Sequence, residues 1–366
     1  MDRRTLLTAV AACLAAPPVF AQPADPLQAQ LESLRASAGI PALGGAIVTV
    51  DGLLWSGVSG VRRQGSPDPV TLSDRWHLGS NTKAMTAVLY ASLVDSGRAR
   101  WGATVPELFA DLTLDSAWTT TTIEQLLGHR AGVLDQAVMM GWMAAAWAPG
   151  ADVRDLRTTL ASSVFGAPPA GAPGAFSYSN AGYILAGAAI ERITREPWEA
   201  TMRRDLFDRL SMSSAGFGPP LGDNAWGHQG APLTAKDPTT LGSDNPPGLG
   251  PAGTVHATLE DYARFLRLFL TDGGGWLSGE AMQTLATPVV GSGQPYALGW
   301  GVMTGQPWSG DRPALTHDGS NTLWLARAVV APARGAAAIC VANAAEPARP
   351  AIDGLTRALI ARFPVG

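Results

Sequence analysis

The chain has few of the residues that form disulfide frameworks, metal centres or nucleic-acid-binding surfaces. It has two cysteines, and Cys340 lies in an apolar run that predicts a buried strand residue. The five histidines are scattered, without the Cys/His spacing of a metal site. The net charge is −4 and no basic run is present, which argues against nucleic-acid binding. We therefore predict no metal, no cofactor and no nucleic-acid partner, and a fold stabilised by an ordinary hydrophobic core.

Long apolar runs are also scarce. Beyond the N-terminal segment no stretch is apolar enough, for long enough, to span a bilayer, so we predict no stable membrane span. The N-terminal segment has a basic start with two consecutive arginines, an apolar stretch and a small-residue cleavage site at Ala21. It predicts a signal peptide over residues 1–21 and an exported, periplasmic or secreted protein, by the general or the twin-arginine route. A lipoprotein site ending at Cys13 is disfavoured, because the apolar run continues to Phe20.

Both chain ends carry strand and helix patterns. A helix capped by Asp25 and a hairpin with the turn Asp51-Gly52 begin the chain, and a helix with Pro350 in its first turn ends it. Alternation and β-branched residues predict strands at 44–63, 296–302, 322–330 and 336–342.

The middle of the chain is mostly helical. Helices are predicted from Lys83, from a capping box of Thr121 and Glu124, from Ala181 and from Thr258. We therefore predict an α/β (α+β) fold, in which an antiparallel sheet built from both chain ends is flanked by helices. A mostly helical lobe is inserted over roughly residues 95–270, all within one domain spanning 22–366.

A Pro/Gly-rich stretch at residues 214–254 is too long for a simple connection. It is either disordered or the rim of a binding site. Trp226 and His228 within it favour the rim.

Lysine is the scarcest charged residue, with two copies among 26 basic residues. Lys83 follows Ser80 by three residues, which is about one helical turn. Arginine is effectively never deprotonated, whereas a buried lysine can lose its proton and activate a neighbouring nucleophile. At a helix start, the Ser80 N–H and hydroxyl lie at the positive end of the dipole, which suits an attack that creates an oxyanion. The alternative is that Ser80 only caps the helix.

Two further segments carry polar side chains suited to acyl chemistry. Tyr178 can relay protons, and Asn180 can donate its amide to a substrate or join the lysine side of the network. The alternative for Tyr178 is a core tyrosine with a satisfied hydroxyl. In the second segment, His317 and Gly319 would face the site from an edge strand while the residue between them points away. Gly319 would leave room for substrate, and the Ser320 N–H would be a second oxyanion donor.

Taken together, these segments resemble the serine β-lactamase and penicillin-binding superfamily, in its class C-like branch. Ser80 and Lys83 stand where that branch has its Ser-x-x-Lys motif, and Tyr178 stands where it has its tyrosine. The similar segments, in family order, are residues 77–87, 121–133, 173–183, 252–265 and 296–302.

The resemblance implies a metal-independent serine hydrolase with a β-lactamase/transpeptidase-like fold and a Ser80 acyl-enzyme. Lys83 and Tyr178 would manage the proton, and either one could be the acylation base. The backbone N–H groups of Ser80 and Ser320 would hold the oxyanion. The expected partner is a small-molecule or peptide acyl substrate, cleaved at an ester or amide bond.

The third motif departs from the family pattern, as does Ala131, which stands where serine is usual. β-Lactamases of this branch carry Lys-Thr-Gly in the third motif, and here His317 replaces that lysine. We therefore predict an esterase- or peptidase-type enzyme. A class C-type β-lactamase or D-alanyl-D-alanine carboxypeptidase is the alternative within enzymes, and an inactive β-lactamase-like binding module is the alternative outside them.

Overall fold

The structure, a computed structural model, describes residues 25–148 and 150–364. Its main sheet has six antiparallel strands in the order β2-β1-β11-β10-β9-β8. The described strands are β1 Ala42–Thr49, β2 Gly52–Gly60, β3 Trp76–His77, β4 Gly216–Phe217, β5 His228–Gln229, β6 Thr234–Ala235, β7 Val255–Ala257, β8 Gly301–Met303, β9 Ala314–Ser320, β10 Leu325–Ala331 and β11 Ala336–Ala342.

Ten of the twelve described α-helices lie in the chain between the two halves of the sheet. The described α-helices are α1 Pro26–Ser37, α2 Thr82–Asp95, α3 Val105–Leu108, α4 Ile123–Leu127, α5 Asp135–Ala146, α6 Val153–Phe165, α7 Asn180–Thr194, α8 Trp198–Met202, α9 Gly250–Gly253, α10 Leu259–Arg267, α11 Gly279–Ala286 and α12 Arg349–Ile360. The predicted fold class is therefore confirmed: the chain ends build the sheet and the helical lobe lies between them.

The sheet separates two hydrophobic cores because successive strand residues face opposite sides. On β1, Ile47 points to the terminal helices, where Leu31 of α1 and Leu355 of α12 are fully buried. Ala46 points to the opposite side and joins the core of α2 and the helical lobe. Burying a side chain such as Ile47 or Leu355 stabilises the fold by about 1.5–3 kcal/mol.

Three local predictions were wrong by one to five residues. The capping box before α4 is formed by Thr122 and Gln125, because the Thr121 carbonyl accepts a hydrogen bond from the Val105 N–H and holds Thr121 outside the helix. The strand predicted from residue 296 begins at Gly301, since Gly299 has a φ of +89° and lies against the backbone of Ala84.

The segment around His317 also differs from its prediction. It ends a strand of its own, β9, and the strand predicted from Thr322 begins only at Leu325. Thr322 has a φ of +75°, which breaks the extended backbone between the two strands.

The Pro/Gly-rich stretch is neither disordered nor a rim around His228. His228 is buried, and its ring bonds the Asn343 carbonyl oxygen through Nδ1 and accepts the Gln64 N–H at Nε2. It is therefore a structural contact between distant segments. Other parts of the stretch, residues 217–219, 238–245, 247 and 254, line a cavity of about 760 Å³.

In the described part of the chain no helix is both long and apolar enough to cross a bilayer. The predicted signal peptide at residues 1–21, with Cys13, lies outside the described residues. Cys340 lies on β11 and is 1% exposed, as the apolar run predicts.

Candidate active site

Ser80 lies in a turn between a short strand and the start of α2. Gly79 has a φ of +52°, which turns the chain from the strand Trp76–His77 into the helix. The turn Gly79–Asn81 is a single turn of 3₁₀ helix, and Ser80 in its middle is partly exposed. The Ser80 hydroxyl therefore stands at the N-terminal end of a buried helix, open to one side.

The Lys83 amine lies one turn further on and is 0% exposed. Its Nζ is 3.0 Å from Ser80 Oγ, 2.8 Å from Asn180 Oδ1 and 2.7 Å from the Ala252 carbonyl oxygen. Burial removes the water that would solvate an ammonium ion and lowers the pKa of Lys83 to about 7. The amine thus titrates near neutrality while in contact with the serine.

Close packing of two helices places the Ala252 carbonyl at the lysine. Gly187 on α7 has no Cβ, and one would overlap the ring of Pro251 on α9. The small residue lets α9 lie directly against α7. Thr86 on α2 donates its hydroxyl hydrogen to the Pro251 carbonyl and fixes α9 on its other side.

Tyr178 lies over Lys83 from the segment that leads into α7. Lys83 Nζ is 4.9 Å from the centre of the Tyr178 ring, and the phenol lies near the Ser80 side chain. Although Tyr178 is 40% exposed as a residue, burial of its phenol end raises its pKa above the usual range. His129 holds this segment, because its Nδ1 accepts the Ser179 N–H at 3.0 Å and its carbonyl accepts the Ser177 N–H.

Asn180 connects the lysine to a carboxylate that the sequence reasoning missed. Asn180 Oδ1 accepts from Lys83, and its Nδ2 donates to Asp135 Oδ2 at 3.0 Å. Of the two roles predicted for Asn180, the structure thus places it on the lysine side. Asp135 stands 45 residues earlier in the chain, so no local spacing connects the two residues. An acid following the buried Gly132-Val133 segment was the only available signal.

His317 lies on β9 where the sheet has no further strand beside it, since the pairing with β8 ends at Thr316. His317 is 7% exposed, with Nε2 2.8 Å from the Tyr296 hydroxyl and Nδ1 2.7 Å from the Asp318 carbonyl oxygen. Burial and the nearby Lys83 lower its pKa to about 4. His317 is therefore neutral near pH 7, and both of its ring nitrogens are occupied.

The end of β9 touches the turn Gly79–Asn81, which carries the candidate nucleophile Ser80 and is called the nucleophile turn below. A Cβ on Gly319 would overlap the Leu78 carbonyl oxygen and lie 2.8 Å from the Ser80 nitrogen. A Cβ on Gly79 would likewise overlap the Ser320 nitrogen. The absence of a side chain at Gly319 therefore makes room for the nucleophile turn, and a substrate contact at Gly319 stays a prediction. The same contact brings the backbone nitrogen of Ser320 close to that of Ser80.

A cavity of about 550 Å³ opens beside these residues. Tyr178, Tyr296 and His317 line it, together with Arg327. Arg327 is paired with Asp318 at 2.6 Å and with Asp353 at 2.6 Å, so its charge is already balanced. The cavity walls are otherwise neutral or aromatic apart from Asp318.

Known proteins with similar sequences include a penicillin-binding protein and a hydrolase. The chain is similar to penicillin-binding protein 4 of Amycolatopsis lactamdurans, with 28% identity over 86% of this chain and 84% of that protein. It is also similar to Unguisins hydrolase ungD of Aspergillus violaceofuscus, with 27% identity over 63% of this chain and 42% of that protein.

Solved structures share the fold. The octameric penicillin-binding protein homologue of Pyrococcus abyssi matches with a TM-score of 0.72 and 20% identity, over 91% of this chain and 76% of that one. The D-amino acid amidase of Ochrobactrum anthropi matches with a TM-score of 0.70 and 19% identity, over 91% of this chain and 99% of that one. The family model described as Beta-lactamase matches residues 27–362. This chain therefore belongs to the beta-lactamase family.

Proposed function

We propose that the protein is a serine hydrolase that cleaves an ester or amide bond through an acyl-enzyme on Ser80. The observation that carries the proposal is the set of three contacts around the Lys83 amine. Two of its partners, Asn180 Oδ1 and the Ala252 carbonyl, can only accept hydrogen bonds. A neutral amine donates both of its hydrogens to them, and its lone pair then points at the Ser80 hydroxyl.

This arrangement favours Lys83 over Tyr178 as the acylation base. A base must be deprotonated at the working pH, and the Lys83 pKa of about 7 meets that condition. The pKa of Tyr178 lies above its usual range, so the phenol keeps its proton near neutrality. Tyr178 is therefore proposed as the acid that protonates the leaving group.

The proton balance of the reaction closes within the site. Ser80 Oγ forms the acyl bond while its proton passes to Lys83, and the bond to the leaving group breaks as Tyr178 gives up its proton. The resulting ammonium and tyrosinate then neutralise each other by proton transfer. Water cleaves the ester in the second half, and the N–H groups of Ser80 and Ser320 stabilise the oxyanion in both halves.

We further propose a substrate with no free carboxylate at the β9 end of the site. Of the described residues there, His317 is neutral and Arg327 is paired with two aspartates. A buried anion without a partner costs several kcal/mol, roughly, so a neutral ester or amide fits better. The hydrolysis of unguisins and of D-amino acid amides, as named for two of the similar proteins, is consistent with amide cleavage. Export remains a proposal made from the N-terminal sequence.

Labelling with a fluorophosphonate probe tests the proposal. Ser80 is expected to acquire the probe, and the rate should rise through pH 7 as Lys83 loses its proton. Ser80→Ala should abolish labelling and hydrolysis of 4-nitrophenyl esters and D-amino acid amides, whereas the exposed Ser73→Ala should change neither. An unlabelled protein would leave the inactive binding module as the better reading.

A second candidate is a penicillin-interactive enzyme, favoured by the similarity to penicillin-binding protein 4. Incubation with a labelled penicillin separates the two. A stable mass adduct on Ser80, or rapid turnover of the penicillin, would contradict the substrate class proposed here and support this candidate.

A further inference from the structure

Asp135 is the first residue of α5, and its carboxylate spans the gap to the start of α7. It accepts four hydrogen bonds, all from the beginning of that second helix. The donors are Ser179 Oγ at 2.8 Å, the Asn180 N–H at 2.9 Å, Asn180 Nδ2 at 3.0 Å and the Ala181 N–H at 3.0 Å. Over residues 25–148 and 150–364, no arginine, lysine or histidine forms an ion pair with it.

An ordinary capping carboxylate looks different. Asp152 caps α6 by accepting only the N–H groups of Arg154 and Asp155, two and three residues ahead on its own helix. Asp135 instead caps a helix from another part of the chain. It also holds a side chain, that of Asn180, which the neighbouring residues of α7 do not need for helix formation.

That side chain has two possible orientations, and Asp135 selects between them. A carboxylate only accepts hydrogen bonds, so it requires the Asn180 amide nitrogen on its side. The Asn180 oxygen must then face Lys83, 2.8 Å away. If the amide were reversed, its N–H₂ group would face the Lys83 amine and donate to its lone pair. That lone pair would then no longer point at Ser80.

The charge of Asp135 also acts on Lys83. The titratable groups around the amine come from five places: Asp135 on α5, His129 before it, Tyr178 just before α7, Tyr183 on α7 and His317 on β9. The pKa values of both histidines are lowered and those of both tyrosines raised by burial, so all four are neutral near pH 7. Asp135 is the group that raises the Lys83 pKa against the effect of burial.

We propose that Asp135 is a positioning residue, which fixes the Asn180 amide and thereby aims the Lys83 lone pair at Ser80. This inference rests on the proposed serine chemistry. It assigns a catalytic consequence to a residue that touches neither substrate nor nucleophile.

The test compares the pH profile of fluorophosphonate labelling in matched variants. The acid limb of this profile is the pH range in which the labelling rate rises as Lys83 loses its proton, and the plateau is the constant rate above it. Asp135→Asn removes the charge, so the acid limb should move down by about one pH unit, and labelling on the plateau should slow about tenfold. Asp135→Glu keeps the charge and displaces it, so its limb should stay in place while its plateau falls. Asp152→Asn removes a cap of similar kind elsewhere, and should lower the melting temperature without moving the limb.

The outcomes separate this inference from the proposed function. If the wild-type protein is not labelled, the serine chemistry itself fails. If the wild type is labelled and the Asp135→Asn limb stays in place, or Asp152→Asn shifts its limb equally, the role of Asp135 is overturned. Should Asp135→Asn not fold, an Asp135→Glu variant with a wild-type plateau would overturn it as well.

Discussion

Two buried bases lie near Tyr178, and they differ in the groups that they contact. Lys83 on α2 and His317 on β9 are 0% and 7% exposed, and burial lowers the pKa of both, to about 7 and about 4. The lysine retains one contact with a group that can give it a proton, Ser80. The histidine instead accepts from the Tyr296 hydroxyl, and burial raises the pKa of that phenol well above its usual value.

The difference lies in the partners of each base. The Asp318 carbonyl only accepts, so His317 Nδ1 carries the proton and Nε2 accepts from the Tyr296 hydroxyl. All hydrogen-bonding capacity of the neutral ring is then used. Burial can therefore make either base neutral, but the Lys83 amine contacts the Ser80 hydroxyl, whereas the His317 ring contacts the phenol of Tyr296.

The largest expected effect comes from replacing the proposed base, Lys83, by a residue that cannot lose its proton. Lys83→Arg should slow labelling of Ser80 by the fluorophosphonate at least about a thousandfold, because a guanidinium stays charged. Lys236→Arg, at the only other lysine of the chain, is the matched control and should leave the rate unchanged. Near-normal labelling of Lys83→Arg, with a wild-type circular dichroism spectrum, would show that Lys83 is structural.

A smaller loss is expected when the contact between β9 and the nucleophile turn is forced apart. Gly319→Ala would overlap the Leu78 carbonyl and crowd the Ser80 nitrogen, so one oxyanion donor moves. We expect kcat for a 4-nitrophenyl ester to fall about a hundredfold with little change in KM. Gly279→Ala, where an added Cβ meets nothing within 4 Å, provides the control. Equal rates for the two variants would disprove the oxyanion role of this contact.

The next change adds a second cation on the β9 side, where Arg327 is already paired with two aspartates. His317→Lys places an ammonium beside the cavity of about 550 Å³. Acylation by a labelled penicillin, which carries a carboxylate, should rise about tenfold, while labelling by the neutral fluorophosphonate should not rise. An unchanged penicillin rate would mean that charge at this position does not select the substrate.

The smallest effect concerns stability. His317 has a pKa of about 4 when folded and 6.5 otherwise, so the unfolded chain binds the additional proton between these values. The stability contributed by neutral His317 is thus complete above pH 6.5 and is lost as the pH falls toward 4, by up to about 1.4 kcal/mol per pH unit. Urea unfolding at several pH values between 5 and 7 should show that the free energy of unfolding depends less steeply on pH in His317→Gln than in the wild type. The same pH dependence in both proteins would mean that His317 is not buried in solution.

Much of the fold follows from local patterns. The hairpin at Asp51-Gly52, the buried helix after Lys83 and the last helix at Pro350 have strong turn, periodicity and capping signals, and they form where predicted. Boundaries were missed where tertiary contacts override the pattern. Thr121 is drawn out of its helix by Val105, and Gly299 turns against Ala84.

The sequence alone determined the chemical types: a serine with a lysine one turn later, a tyrosine before a small-residue helix, and a histidine where the family has a lysine. It could do so because spacing along one helix or strand follows from backbone geometry. Only the tertiary structure decided that Asn180 and the Ala252 carbonyl meet the Lys83 amine and that Asp135 contacts the Asn180 amide. Those contacts join residues 45 to 169 positions apart, and their distances depend on how α2, α5, α7 and α9 pack together.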